Sequence, residues 1–194
     1  GEARLIWEDQ ENIITLEKLG PGSFLGLASF LRAAPCEEII AASEIEAISL
    51  PDTLILKLLQ EKKEFFKWST NTIFTAELAE LIRLESFNYP QNGFPLKRAI
   101  SELKSESNLL PYVGTLNSIN QNQELIVASQ NIPRNPIGTK ISQGEKIPKS
   151  SPPLPPRIIV IKNPKIFQFR NTIDQNEPNK IKQNNLLTKN RQSV

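Results

Sequence analysis

The residues best suited to chemistry lie in a glycine-rich stretch, residues 20–42. A Gly-Pro-Gly turn opens this stretch, and a short apolar segment that carries one more glycine follows. We expect this stretch to be a worn phosphate-binding cassette.

The spacing of the glycines argues against two well-known nucleotide motifs. The pattern Gly20-x-Gly22-x-x-x-Gly26 lacks the spacing of the dinucleotide fingerprint, and no Gly-Lys-Ser or Gly-Lys-Thr follows it as in a P-loop. Because proline fixes φ and glycine permits positive φ, the segment is typical of a tight turn at the exit of a hairpin.

The composition argues against catalysis. The 194-residue chain has no histidine, so it cannot build a Ser-His-Asp triad, a Cys-His pair or a zinc site of the usual His-bearing kind. The single Cys36 cannot form an internal disulfide, which is typical of a reducing compartment. Its neighbours Glu37 and Glu38 should raise its pKa and keep it unreactive. We therefore expect a non-enzymatic, cytoplasmic protein that uses no cofactor and no metal.

Charge and hydropathy say little about partners. The 23 basic and 21 acidic residues leave a net charge of +2, which is too small to predict a nucleic-acid partner. No apolar run approaches the roughly 20 residues that a membrane span needs. The chain has no methionine, and we expect it to be a piece of a longer protein.

Periodic patterns predict the elements that hold the glycine-rich stretch in place. Alternation and β-branched residues indicate strands, and apolar residues at spacings of three and four indicate helices. In the first half we predict a hairpin at 3–7 and 13–19, one or two helical turns at 27–32, one long or two short strands at 38–50, and helices over 51–84 with a break at 62–63. In the second half we predict a helix at 96–110, loops over 132–148, strands at 124–129 and 157–162, and a pairing partner at 166–169.

Three segments keep two interpretations each. The aromatic side chains of the predicted helices pack in the core, which we favour, or form a stripe that binds a partner; they are Phe65, Phe66, Trp68 and Phe74. The pattern Pro152-x-x-Pro155-x-Arg157 is a stiff spacer, which we favour, or a polyproline ligand. Residues 171–194 are poor in apolar side chains and predict a disordered linker rather than a contact for lipid or nucleic acid.

The order of the predicted elements resembles the cyclic-nucleotide-binding β-roll of bacterial regulators, over residues 3–84. In that family a glycine turn leads into a Phe-Gly-Glu-aliphatic-Ala/Ser motif, and this chain has Leu25-Gly26-Leu27-Ala28-Ser29 there. The resemblance implies a short helix whose first N–H groups face a cyclic phosphate, a Glu that binds the ribose and an Arg that neutralises the phosphate.

The chain departs from the family at both charged positions. Leu27 stands at the place of the ribose-binding Glu, and Glu37 and Glu38 stand near the place of the phosphate-binding Arg. Acidic side chains there would repel a phosphate. Arg32 heads an Arg-Ala-Ala triplet that imitates the family's Arg-Ser/Thr-Ala several residues early. The resemblance therefore implies a remnant ligand-binding cassette, formed by Gly26, Ala28, Ser29 and Arg32.

The predicted fold class is α+β. It comprises a partial antiparallel β-roll of the cyclic-nucleotide-binding, jelly-roll kind, then helices, a small β unit and a disordered tail. The predicted domains are an N-terminally truncated roll with its helices at 1–86, a helical joint and linker at 87–122, a small β-rich unit with a proline-rich loop at 123–170, and the polar tail at 171–194. Because the family's roll has strands before the point where this chain begins, we expect an unpaired sheet edge at 3–7.

Three segments of the second half resemble the joining region that follows such a roll in peptidase-containing ABC exporters of the type I secretion kind. They are residues 132–133, 136–139 and 155–159. The resemblance implies a regulatory segment at the inner face of the membrane that does not itself span it. Its partner would be a protein or the remainder of the parent chain.

Three functions are therefore ranked. The first is a non-catalytic sensor or docking module with a degenerate phosphate-binding cassette. The alternative is a working receptor for cyclic AMP or cyclic GMP in a transcription or signalling regulator, which would use Arg32 and the N–H groups of residues 26–29. A nucleic-acid-binding regulator ranks last, because residues 96–110 supply one helix and no recognition partner.

Overall fold

Helices and antiparallel sheets make up the part of the chain that the structure describes. The computed structural model describes residues 1–9, 12–85, 96–110, 122–142 and 153–162, all within one compact unit, Gly1–Asn163. The predicted α+β class is confirmed. No helix in these ranges is long and apolar enough to cross a lipid bilayer.

The first sheet has three antiparallel strands in the order β2-β1-β3. They are β1, Ala3–Asp9, β2, Asn12–Leu19, and β3, Glu38–Ala41. β1 and β2 form the predicted hairpin, whose register shifts between Leu5 and Ile6. Residues 20–37 of the glycine-rich stretch connect the end of this hairpin to β3.

The predicted unpaired edge at 3–7 is wrong. β3 pairs with β1 on the side opposite β2, with Ala3 across from Ala41 and Ile6 across from Glu38. β1 is therefore the central strand of the sheet, because the chain returns to it directly after the glycine-rich stretch.

The strand predicted over 38–50 ends at Ala41, much earlier than expected. The backbone N–H groups of Ala42 and Ser43 both donate to the Glu2 carbonyl oxygen, at 2.8 and 3.2 Å, and this closes the ladder. Because β1 begins at Ala3, residues 42–50 find no strand beside them in the described part of the chain. Ile48 is 88% exposed as a result.

The helices of the described residues pack mainly against one another. They are α1, Leu27–Arg32, α2, Asp52–Glu61, α3, Lys63–Asn71, α4, Thr75–Glu85, and α5, Leu96–Glu106. α1 has the predicted bounds, and Lys62 separates α2 from α3 at the predicted place, with φ −110° and ψ 97°. A buried apolar cluster joins α1 to α2, formed by Leu27, Leu31, Ile55 and Leu59.

The helical pattern predicted to run to residue 84 is interrupted between α3 and α4. Thr72 is extended, with ψ 122°. Glu77, in the first turn of α4, accepts the backbone N–H of Phe74 at 3.0 Å through Oε2. This is the glutamate half of a capping box, and it starts a new helix where apolar spacing alone predicts a continuous one.

The second sheet has the strand order β4-β7-β5-β6. Its strands are β4, Ser107–Leu109, β5, Glu124–Val127, β6, Lys140–Ile141, and β7, Ile158–Ile161. The strands predicted at 124–129 and 157–162 are confirmed as β5 and β7, which pair antiparallel. β7 lies between two neighbours and buries all four of its apolar residues.

The end of the helix predicted at 96–110 is wrong. The helix stops at Glu106, and β4 follows it to pair with β7, with Asn108 across from Val160. Ser and Asn are poor residues for a helix interior, because their side chains compete for backbone hydrogen bonds. Pairing with the buried strand β7 therefore decides the conformation of residues 107–109. β6 likewise adds a short strand within residues 132–148, which were predicted as loops.

Several predictions fall outside the described residues. They concern the pairing partner at 166–169 and the tail at 171–194. The domain limits predicted at 86, 122 and 170 lie in or beside undescribed ranges, so they stay predictions.

Candidate functional site

The hairpin leaves the first sheet through a tight turn. Ser23 donates its backbone N–H to the Gly20 carbonyl oxygen at 3.1 Å, and Gly22 has φ 84°. Proline before a glycine with positive φ is the arrangement of a type II turn. The turn carries Phe24 to the surface, where its side chain is 46% exposed.

The N-terminus of α1 is occupied by a carboxylate of the same chain. Gly26 precedes the helix with φ 82° and has no side chain to cap it. The Glu37 side chain takes that place: Oε1 accepts the Gly26 N–H at 3.2 Å, and Oε2 accepts the Ser29 N–H at 2.9 Å. A negative charge is stabilised at this end of a helix by its unpaired N–H groups and its dipole. The two N–H groups expected to face an anion therefore already bind one.

Ser29 holds the Glu37 loop in position. Its Oγ accepts the backbone N–H groups of Cys36 at 3.1 Å and Glu37 at 3.2 Å. Ala28 is buried, with 1% of its surface exposed, and belongs to the core. Two residues of the predicted remnant cassette, Gly26 and Ser29, thus lie at one place. Their N–H groups donate to Glu37 and do not face an empty anion site.

Arg32, the last residue of α1, contacts the second sheet through its side chain. Its side chain is fully buried, and Nε donates to the Ala128 carbonyl oxygen at 2.7 Å, beyond the end of β5. The Arg32 carbonyl oxygen accepts the Gln130 N–H at 2.8 Å. Nη1 and Nη2 find no hydrogen-bond partner within the described ranges. Arg32 therefore joins α1 to the second sheet instead of completing a phosphate site.

The pKa of the Cys36 thiol is raised for a main reason other than the predicted one. Burial is the main cause that raises the pKa of its thiol above the ordinary value. Arg32 and Ser29 act in the opposite direction, and Glu37 adds a minor increase. The predicted direction of the pKa shift is confirmed, but desolvation is the dominant cause.

Four aromatic rings form a half-exposed cluster beside the capped helix. The aromatic cluster consists of Phe24, Phe65, Trp68 and Phe74. The Trp68 ring lies 5.7 Å from that of Phe24 and 6.1 Å from that of Phe74, and Trp68 is 41% exposed. The cluster thus has features of both predicted alternatives, since its rings pack together and still face solvent. Phe24 was not predicted to belong to this cluster, because its position depends on the turn before it.

A second buried arginine fixes the junction between α3 and α4. Arg157, just before β7, donates through Nε and Nη2 to both carboxylate oxygens of Glu77. Nη1 donates to the Ser69 carbonyl oxygen at 2.8 Å, and Nη2 to that of Thr72 at 2.7 Å. These carbonyls belong to the end of α3, where helical partners are missing. The guanidinium also lies 5.4 Å from the centre of the Phe74 ring.

The role of Arg157 was not predictable from its sequence context, which indicated a spacer or a polyproline ligand. Its partner Glu77 lies 80 residues away in the chain. The one local signal is the Glu77 position itself, in the first turn of a helix that a capping box would start.

No metal centre is apparent in the part of the chain that the structure describes. Groups of three or more His, Cys, Asp or Glu side chains placed to hold an ion are absent there.

Comparison of the chain with protein-family models, with curated proteins and with solved structures finds no match. The resemblances to cyclic-nucleotide-binding rolls and to exporter joining regions are therefore carried by the sequence motifs alone.

Proposed function

We propose that this chain is a non-catalytic regulatory domain of a larger protein, in which a phosphate-binding cassette has become an internal helix cap. The observation that supports this function is the Glu37 carboxylate, which accepts the N–H groups of Gly26 and Ser29. In a working cassette those groups would be free to bind the phosphate.

A cyclic nucleotide would have to displace Glu37 and then lie beside it. Two like unit charges 4 Å apart repel by about 4 kcal/mol at an effective dielectric constant of 20. Arg32, the arginine nearest in sequence to the expected position, donates to Ala128 and lies buried. Leu27, at the position of the ribose-binding Glu, is buried in the apolar cluster of α1 and α2. Each of the three charged or polar roles of the family thus has a substitute that disfavours the nucleotide.

The proposed parent protein is an ABC-type exporter, with the domain on the cytoplasmic side of the membrane. The support is the resemblance of residues 132–133, 136–139 and 155–159 to the joining region of such exporters. The partner would be the remainder of the parent chain or a separate protein. A movement of α3 and α4 would be transmitted directly to the second sheet. Arg157 binds the end of α3 and the start of α4, and it immediately precedes β7.

Thermal unfolding with and without nucleotides tests the proposal. The midpoint should not rise when cyclic AMP, cyclic GMP or a cyclic dinucleotide is added at millimolar concentration. A ligand present at 100 times its Kd stabilises the folded state by about 2.7 kcal/mol, so a true ligand would be visible. A saturable rise with any of these nucleotides would replace the proposal with the receptor function.

The reading frame on either side of this segment tests the proposed parent protein. A frame that continues into transmembrane helices and an ATPase supports the exporter. A frame that continues into a DNA-binding domain would contradict it.

A further inference from the structure

A cavity of about 340 Å³ lies between the first sheet and the junction of α3 and α4. Three rings of the aromatic cluster line it, those of Phe24, Trp68 and Phe74. Phe24 and Trp68 are 46% and 41% exposed, so the aromatic wall is open to solvent. Cavities of this size with aromatic walls and a few polar groups are typical of small-molecule sites.

The charged side chains that line the cavity are mostly acidic. Glu17 and Glu37 each contribute a carboxylate, and Lys104 contributes an ammonium group. Lys104 Nζ donates to Thr75 Oγ1 at 3.4 Å, and Thr75 Oγ1 donates to Glu17 Oε2 at 2.6 Å. Lys104 is thus linked to Glu17, and no second cation among the described lining residues faces Glu37. Two carboxylates against one ammonium favour a positively charged occupant.

We propose that this cavity binds a small organic cation, with its ammonium group at the carboxylates and its apolar body against Trp68 and Phe24. The aromatic rings pack against the apolar body of the occupant, and the nearby carboxylates pair with its ammonium group. This inference rests on the proposed function for its meaning, since the cation would be the signal that the domain detects. Thr72 lines the same cavity and binds Arg157 through its carbonyl oxygen, so an occupant would touch the link to the second sheet.

Three probes that share a phenyl ring and a short arm separate charge from hydrophobicity. They are phenethylamine, 2-phenylethanol and 3-phenylpropionate. Titrations are made by calorimetry, and by fluorescence in a Trp7→Phe background, in which Trp68 is the single tryptophan. We expect phenethylamine to bind saturably, 2-phenylethanol to bind more weakly and 3-phenylpropionate to bind most weakly.

Charge variants of the lining give effects of opposite sign. Glu17→Gln keeps the shape and should weaken phenethylamine binding by about 2- to 5-fold, as expected for an exposed ion pair. Lys104→Gln removes the competing cation and should strengthen binding by about 2- to 5-fold. Trp68→Leu should weaken binding by about 2- to 5-fold through the lost packing of the phenyl ring against the indole. The control is Glu64→Gln, an exposed carboxylate of α3 outside the cavity, which should change nothing.

Several results would overturn the proposal. One is 3-phenylpropionate binding as tightly as phenethylamine, and another is weaker amine binding in Lys104→Gln. Absence of saturable phenethylamine binding at millimolar concentration would also overturn it. Thermal unfolding of each variant shows whether it is folded. Failure of cation binding would leave the capped cassette untouched, whereas a cyclic nucleotide that binds would contradict the proposed function on its own.

Discussion

Two helices of this protein begin on a glutamate carboxylate, and the two caps differ in what surrounds them. At the α4 cap, Glu77 accepts the Phe74 N–H and also binds Arg157, and both side chains are almost fully buried. At the α1 cap, Glu37 comes from the loop after the helix, is half-buried and accepts backbone N–H groups of Gly26 and Ser29. The first is a closed network, and the second is a cap that remains reachable from solvent.

The two buried arginines repeat this difference. Arg157 makes hydrogen bonds through all three of its nitrogens, to Glu77, Ser69 and Thr72. Arg32 donates through Nε alone, to Ala128, and its other two nitrogens find no hydrogen-bond partner in the described part of the chain. A buried charge is costly unless it is paired, so opening the α4 cap would leave the Glu77 and Arg157 charges uncompensated. We therefore expect the α4 cap to stay closed and the hydrogen bonds of the α1 cap to break first.

The largest effect is expected at the α4 cap. Glu77→Ala removes the carboxylate and leaves the Arg157 charge buried and uncompensated, which should cost about 3–5 kcal/mol of unfolding free energy. Urea unfolding measures the change. The matched control is Glu61→Ala, whose exposed pair with Lys57 should contribute at most about 1 kcal/mol. Equal effects of the two substitutions would contradict the distinction between a closed network and surface pairing.

A smaller effect is expected at the α1 cap. Glu37→Gln keeps the shape but removes the charge at the helix N-terminus, and the loss of stability should be about 1 kcal/mol. The neighbouring Glu38→Gln in exposed β3 is the control and should be neutral. Urea unfolding again provides the measurement, and a loss as large as that of Glu77→Ala would remove the contrast between the caps.

Arg32 and Arg157 should respond differently to the same substitution. Arg32→Met removes two unsatisfied buried nitrogens along with one hydrogen bond, so stability should change by less than about 1 kcal/mol. Arg157→Met strands the buried Glu77 carboxylate and should be strongly destabilising. Comparison of the two unfolding curves checks this, and a large loss for Arg32→Met would show that its terminal nitrogens are satisfied.

The smallest and most local effect is expected in the rate at which the Cys36 thiol is alkylated. Since burial raises the pKa of its thiol, iodoacetamide should modify Cys36 more slowly than the thiol of an unfolded peptide at the same pH. Arg32→Met removes a charge that lowers this pKa and should slow the reaction further. Faster alkylation in Arg32→Met would contradict this account.

The raised pKa of Cys36 also affects stability. Its contribution is complete below the unfolded-state pKa and is lost as the pH rises through the folded-state pKa.

The elements predicted correctly are those whose cause is local. The hairpin, α1, the break at Lys62 and the two apolar strands β5 and β7 follow from alternation, glycine and helical spacing within a few residues. The wrong element boundaries have causes that are remote in sequence. The Glu2 carbonyl oxygen ends the β1–β3 ladder at Ala42, and residues 107–109 pair with β7 instead of continuing α5. No window of local sequence contains those partners.

The candidate site shows the same limit. Gly26 and Ser29 were predicted as part of one cassette, and they do meet at one carboxylate. Glu37 was recognised as an acid that would repel a phosphate, but its role as the cap depends on a chain reversal of 11 residues. Arg157 could not be assigned at all, since its contacts lie 80 to 88 residues away.

The central claim is that the Glu37 carboxylate fills the anion position at the start of α1. Amide hydrogen exchange followed by NMR tests it directly, in the wild type and in Glu37→Ala. We predict that the Gly26 and Ser29 amide protons exchange more slowly in the wild type than in Glu37→Ala, because the Glu37 carboxylate accepts both N–H groups. If both amide protons exchange at the same rates in the two proteins, Glu37 does not occupy the site and the cassette is open.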